Sequence, residues 1–224
     1  MKKILVSVLS AKNKEQFICS LKDKDVWLHI DIMDGKFVKP HGLDIELIKL
    51  AKDNKIYTDV HLMVEKPIDD LYIDNAIRYG ADSILIHYEI EDFNKALMYL
   101  LLKKNELRSK KRKLSVGVVL KPETGIEVIE KYANLIDKVL IMSVKPGYGG
   151  QDYISSTDEK IDSFKNKYSN LTLEIDGGVN LEVLKRKSMK KVDEFVIGSL
   201  ITSSDNSDLI IDKIKEELIW KKLP

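Results

Sequence analysis

Leu28-His29-Ile30-Asp31-Ile32-Met33-Asp34-Gly35 is the stretch whose reading decides the fold. It is an apolar run that gathers polar groups toward its C-terminal end and closes on Asp-Gly. Side chains of a strand alternate between faces, so His29, Asp31 and Met33 share one face while Ile30 and Ile32 take the other. Short apolar runs of this kind recur along the chain. Those at Ile4–Leu9, Val26–Ile32, Thr58–Met63, Ser83–His87, Leu114–Leu120, Lys138–Ser143, Thr172–Asp176 and Glu194–Ile197 read as strands. Several are nearly continuous hydrophobic runs, as strands covered on both faces should be.

Longer amphipathic stretches separate them. Helices are expected over Lys12–Leu21, Asp44–Asp53, Ile68–Tyr79, Asp92–Glu106, Gly125–Ala133, Ser155–Lys167, Leu181–Lys187 and Asp208–Trp220. Ser155 or Ser156 is placed to cap the sixth, and Gly80 to end the third. Strict strand–helix alternation over 224 residues predicts an α/β protein built as a (β/α)8 TIM barrel. An open doubly wound sheet is the alternative, but it usually opens with a glycine-rich phosphate loop, and Ser10-Ala11-Lys12-Asn13 is not one. No linker, low-complexity tract or composition shift divides residues 1–224, which read as a single domain.

Composition excludes several classes. Hydrophobic residues at 44% and charged residues at 33% argue for a globular chain and against disorder. Lys+Arg 37 against Asp+Glu 36 leaves a net charge of +1, so no global attraction for nucleic acid or an anionic membrane is expected. Seven basic residues lie between Lys103 and Lys113, without interleaved aromatics and interrupted by Glu106, and read as a solvated helix end. One cysteine, Cys19, excludes an intramolecular disulfide and a paired-thiolate zinc site. The six apolar-rich positions Ile4–Leu9, containing Ser7, are too short for a signal segment or a membrane span and read as a first strand; a cytoplasmic address is expected.

Barrel enzymes keep their active sites at the C-terminal ends of the strands. The third strand ends Asp59-Val60-His61-Leu62-Met63 and the seventh Glu174-Ile175-Asp176-Gly177-Gly178. In a closed barrel His29, Asp31, His61 and Asp176 can converge. One such histidine is ordinarily a packed strand-end residue. Two imidazoles and two carboxylates at matched strand ends instead suit one divalent transition metal ion: zinc, iron, manganese or cobalt.

These segments resemble the ribulose-phosphate 3-epimerase family. The resemblance rests on Ser7-Val8-Leu9-Ser10, LHIDIMDG at 28–35, DVHLMV at 59–64, MSVKPGYGGQ at 142–151, EIDGGV at 174–179 and Gly198-Ser199. It implies an isomerase that interconverts D-ribulose 5-phosphate and D-xylulose 5-phosphate, within carbohydrate metabolism and the pentose phosphate pathway, and a homo-oligomer. It implies metal ligation by His29, Asp31, His61 and Asp176, with the ion acting as a Lewis acid on the C2 and C3 oxygens of an enediolate. Inversion at C3 needs acid/base groups on both faces, a role the resemblance gives to Asp31 and Asp176. Which of the two is protonated at rest stays open at this point.

Met33, Met63 and Met142 match methionines around the reacting carbons, where polarizable thioethers would not protonate an enediolate; gap-filling at a barrel mouth is the plainer account. His61 and Ser7 are implied substrate contacts as well. Gly177, Gly178, Gly198 and Ser199 stand after strands seven and eight, where barrels often bind phosphate; a bulky residue at Gly178 is expected to block that approach. Gly147, Gly149 and Gly150 make the loop after strand six a mobile lid. His87 and Glu89 read as support behind the ligands, and His41 as a solvated loop residue.

The loop Lys36–Gly42 looks shorter than the family's, Val6 stands where a proline is common, and Leu200-Ile201 follow Gly198-Ser199. These departures bear on substrate fit, not reaction type. Allulose-6-phosphate 3-epimerase, with the same chemistry on a longer sugar, is the rival reading; a non-catalytic binding barrel is a second.

Overall fold

The computed structural model describes residues 2–220. Eight parallel strands close in sequence order: β1 (Lys3–Ser7), β2 (Trp27–Met33), β3 (Thr58–Met63), β4 (Ser83–His87), β5 (Ser115–Leu120), β6 (Lys138–Met142), β7 (Thr172–Asp176) and β8 (Glu194–Ile197). β8 pairs back onto β1 with Leu5 beside Val196, so no edge is left open. Around them run α1 (Lys14–Ser20), α2 (Leu47–Asp53), α3 (Tyr72–Tyr79), α4 (Phe93–Ser109), α5 (Thr157–Lys167), α6 (Leu181–Leu184), α7 (Ser199–Thr202) and α8 (Ser207–Trp220). The expected TIM barrel is the observed fold.

Alternation along the strands divides two cores. Ile4, Val6, Ile30, Ile32, Val60, Ile84, Val118 and Ile175 point outward into the layer shared with the helices. Leu85, Val119, Leu140 and Met142 form a smaller apolar cluster of their own. Local chemistry starts and stops the helices: Asn13 Oδ1 accepts the Gln16 amide at the head of α1, and Gly80, at φ 108°, ends α3.

Four expectations need correction. Gly125–Ala133 is not an α-helix but a 3-10 turn, Ile126–Ile129; its hydrogen bonds close over three residues, Glu130 to Glu127 and Tyr132 to Ile129. Leu181–Lys187 breaks at Arg186, which turns extended before a second 3-10 segment, Lys187–Lys191. The short α7 has no counterpart in the sequence pattern. Ser156 sits at the head of α5 without a side-chain capping bond, although Asp158 and Glu159 in the first turn favour that end.

The basic run lies on the end of α4 and the following turn. Lys103 pairs with Asp74, Lys104 with Asp137, and Arg112 donates to the Ile77 and Ala81 carbonyls. Among the described residues, no helix is long and apolar enough to cross a membrane.

Candidate active site

Register between β2 and β3 sets Asp31 beside His61 and Met33 beside Met63. Asp176 ends β7, separated from β2 only by β1 and β8. Asp31 Oδ2 accepts the Ser7 hydroxyl at 2.8 Å. Asp31 Oδ1 lies 3.4 Å from His29 Nε2 and 3.2 Å from His61 Nδ1, and Asp176 Oδ2 lies 3.9 Å from that same His61 nitrogen. One ligand atom from each of His29, Asp31, His61 and Asp176 falls within 4.8 Å of the others.

Hydrogen bonds behind the rings assign their tautomers. His29 Nδ1 is 2.8 Å from Asp59 Oδ2 and donates there, leaving Nε2 fully buried and without a hydrogen-bond partner. His87 Nδ1 donates to Glu89 Oε2 at 2.9 Å, so its Nε2 accepts from His61 Nε2, also at 2.9 Å. His61 Nδ1 therefore faces the two carboxylates, within hydrogen-bond reach of Asp31 Oδ1 at 3.2 Å and 3.9 Å from Asp176 Oδ2. Each histidine directs one ring nitrogen to the same point, and the other nitrogen is held by a carboxylate directly or through a second imidazole. That pattern fits a bound divalent cation.

Electrostatics agree. Burial and the Asp31 charge push Asp176 up to about 6. Burial would raise Asp31 too, but His29 and His61 outweigh it and hold its carboxyl well below the usual range. Burial disfavours charge on His29, yet Asp31 and Asp59 raise it well above its ordinary value, so the cluster draws positive charge into itself. Burial, opposed by the Glu89 hydrogen bond, brings His87 down to about 4 and keeps it neutral, as its place between His61 and Glu89 requires.

Above the cluster opens a cleft. Asp31 and Asp176 lie in its floor with Ser7, Met33, Met63 and Met142; Gly147, Gly149, Gly150, Gly177, Gly178, Gly198 and Ser199 form its walls and rim. His29 and His61 are wholly buried beneath. The structure thus brings all the sequence-selected residues to one place. Gly178 requires a correction, however: at φ 65°, a Cβ there would meet Tyr153 N at 2.4 Å and Cα at 2.7 Å. Its missing side chain is first a demand of the protein's own backbone. His41 is exposed, with its ring against the open face of Gly35.

Sequence reasoning passed over two groups. Lys145, Tyr148 and Gln151 line the cleft, and Gln151 Nε2 ties the lid by donating to the Lys145 and Tyr148 carbonyls at 2.7 and 2.8 Å. Lys145 is the only cation in that lining among the described residues. Asp59, Lys138, Glu174 and Glu194 form a buried ionic layer below the metal-ligating cluster. Their signal was readable: Asp59 and Glu174 stand two residues before His61 and Asp176, and therefore on the same inward face.

A closed parallel barrel with a two-histidine, two-aspartate cluster at its strand ends, under a glycine-lined cleft, belongs to the barrel enzymes. Residues 3–202 match the ribulose-phosphate 3 epimerase family, and the chain belongs to that family: it is an epimerase, an isomerase of carbohydrate metabolism. Its relatives include the ribulose-phosphate 3-epimerase of Buchnera aphidicola subsp. Baizongia pistaciae, 34% identical over 232 residues that cover 97% of each chain. The Bacillus subtilis ribulose-phosphate 3-epimerase is 34% identical over 197 residues, covering 84% of this chain and 85% of the relative. Among solved structures, KGPDC from Streptococcus mutans superimposes with a TM-score of 0.71 at 12% identity, over 98% of both chains, which is a likeness of fold.

Proposed function

We propose that the protein interconverts D-ribulose 5-phosphate and D-xylulose 5-phosphate in the pentose phosphate pathway, using a divalent transition metal held by His29, Asp31, His61 and Asp176. One observation carries the reading: two buried imidazoles and two carboxylates bring one ligand atom each within 4.8 Å of the others, and His29 Nε2 has no other partner there. A bound ion would supply positive charge that lowers the cost of removing the C3 proton.

The chain's own residues do the rest. Asp31 is ionised and steadied by the Ser7 hydroxyl, which makes it the resting base. Asp176, on the other side of the cluster near His61 Nδ1, is the second carboxylate of the pair and serves as its acid on the opposite face of the carbon. Reaction in the other direction exchanges the two roles. Met33, Met63 and Met142 present thioethers that neither give nor take protons beside the two carboxylates. The phosphate would lie against Gly177, Gly198 and Ser199, with Lys145 supplying charge.

Turnover of D-ribulose 5-phosphate measured beside D-allulose 6-phosphate, on protein of known metal content, tests the reading. Preference for the pentose with one equivalent of metal is the expected result. Preference for the hexose, or full turnover in thoroughly metal-free protein, refutes it.

A further inference from the structure

One layer below the metal-ligating cluster, four charged side chains fill the barrel interior. Lys138 Nζ lies 2.8 Å from Asp59 Oδ1, 2.7 Å from Glu174 Oε2 and 2.5 Å from Glu194 Oε2. All four are buried, Asp59 and Glu174 completely. An ammonium has three donors, and here each meets a carboxylate from a different strand: β3, β7 and β8. Space for the lysine comes from Gly117 on β5, where a Cβ would stand 2.8 Å from Lys138 Cγ. Buried ion clusters of this kind add little stability over apolar packing of the same volume, so stability alone does not account for it.

The geometry points to the site above. Asp59 divides its oxygens between two partners, Oδ1 to Lys138 and Oδ2 to His29 Nδ1 at 2.8 Å. Glu174 approaches the same ring nitrogen, with Oε1 at 3.5 Å, while its Oε2 is held by Lys138. Only Asp59 bonds that N–H, with Glu174 Oε1 standing beside it unpartnered, and the ammonium holds both side chains in place.

We propose that Lys138 is a positioning residue for the metal centre. Its ammonium clamps the Asp59 carboxylate, and the clamped carboxylate holds the His29 ring with Nε2 toward Asp31, His61 and Asp176. The inference rests on reading those four residues as metal ligands. Partners behind ligating histidines typically carry roughly 10–100-fold in metal affinity, and Lys138 acts through such a partner.

Three variants test it, with Zn²⁺ and Co²⁺ alone as probes. Lys138→Met should lower Zn²⁺ affinity roughly tenfold or more, change the visible spectrum of the Co²⁺-loaded protein, and speed solvent exchange of the His29 Nδ1 proton in the Zn²⁺-loaded protein. Lys138→Met with Glu194→Met removes one charge of each sign and keeps the volume filled, so it should fold even where the single variant does not. It still lacks the clamp and should bind Zn²⁺ as weakly. Glu194→Met alone leaves the Asp59–Lys138 pair intact and should keep wild-type affinity. Wild-type affinity in either Lys138 variant overturns the proposal, and recovery in the double variant alone reduces Lys138 to charge balance. A wild-type protein that binds neither ion refutes the metal reading itself, and the proposal with it.

Discussion

His29 and His61 reach the same point through opposite ring nitrogens, Nε2 and Nδ1, because different partners hold the opposite end of each ring. Replacing either with alanine should strip divalent metal and abolish epimerisation while far-UV dichroism stays native. Metal analysis and turnover on the same samples check this. Asp176 makes ligation pH-dependent. Its raised value of about 6 means that metal-free protein takes up a proton there as pH falls through 6, where an unperturbed aspartate would still be ionised. The ion must displace that proton and also the one the raised His29 holds, so affinity should already fall as pH drops toward neutral and fall more steeply below about pH 6; equilibrium dialysis from pH 5 to 9 measures the two steps. Asp31→Asn and Asp176→Asn should each lower epimerisation by more than the roughly 10²–10⁴-fold typical of one general base, since metal charge balance is lost as well. With metal still bound, each variant should exchange the C3 hydrogen of only one epimer with deuterated water, the two variants acting on opposite epimers. Near-normal epimerisation by either variant removes that aspartate from the mechanism.

Loops that cross at the barrel mouth decide the next scale. Gly178 follows β7 and sits under the backbone of Tyr153, between the lid and α5. Gly178→Ala should shift that crossing, lowering thermal stability and substrate affinity together. Gly150 stands in open space at φ 74°. Gly150→Ala should cost only about 1–2 kcal/mol of backbone strain, seen as a small change in melting temperature with a lid less able to reshape. If Gly178→Ala melts like the wild type and loses only phosphate affinity, the glycine serves the ligand and not the crossing.

For the whole molecule, the metal and the fold are linked, because β2, β3 and β7 contribute ligands that only the closed barrel brings together. An ion held at a hundred times its dissociation constant should add about 2.7 kcal/mol to stability. For a chain of this size that is a rise in melting temperature of roughly 5–10 °C. Calorimetry with and without Zn²⁺ reads it directly, and His29→Ala should erase the difference.

Much of this was legible in the amino-acid sequence. Thr58–Met63, Ser83–His87, Thr172–Asp176 and Glu194–Ile197 form strands over the ranges that their apolar runs predict. His29, Asp31, His61 and Asp176 were apparent because strand alternation is local: two-residue spacing assigns a face wherever the strand ends up. Tertiary structure decided what spacing cannot express. Gly125–Ala133 has helical composition, yet the chain crosses there in tight turns. Gly178 looked like a ligand's requirement until Tyr153 was seen against it. Lys138 opens the apolar run Lys138–Ser143, and its partners Asp59, Glu174 and Glu194 lie 79, 36 and 56 residues away. Local periodicity says which way a side chain faces; only closure of the barrel says what it meets there.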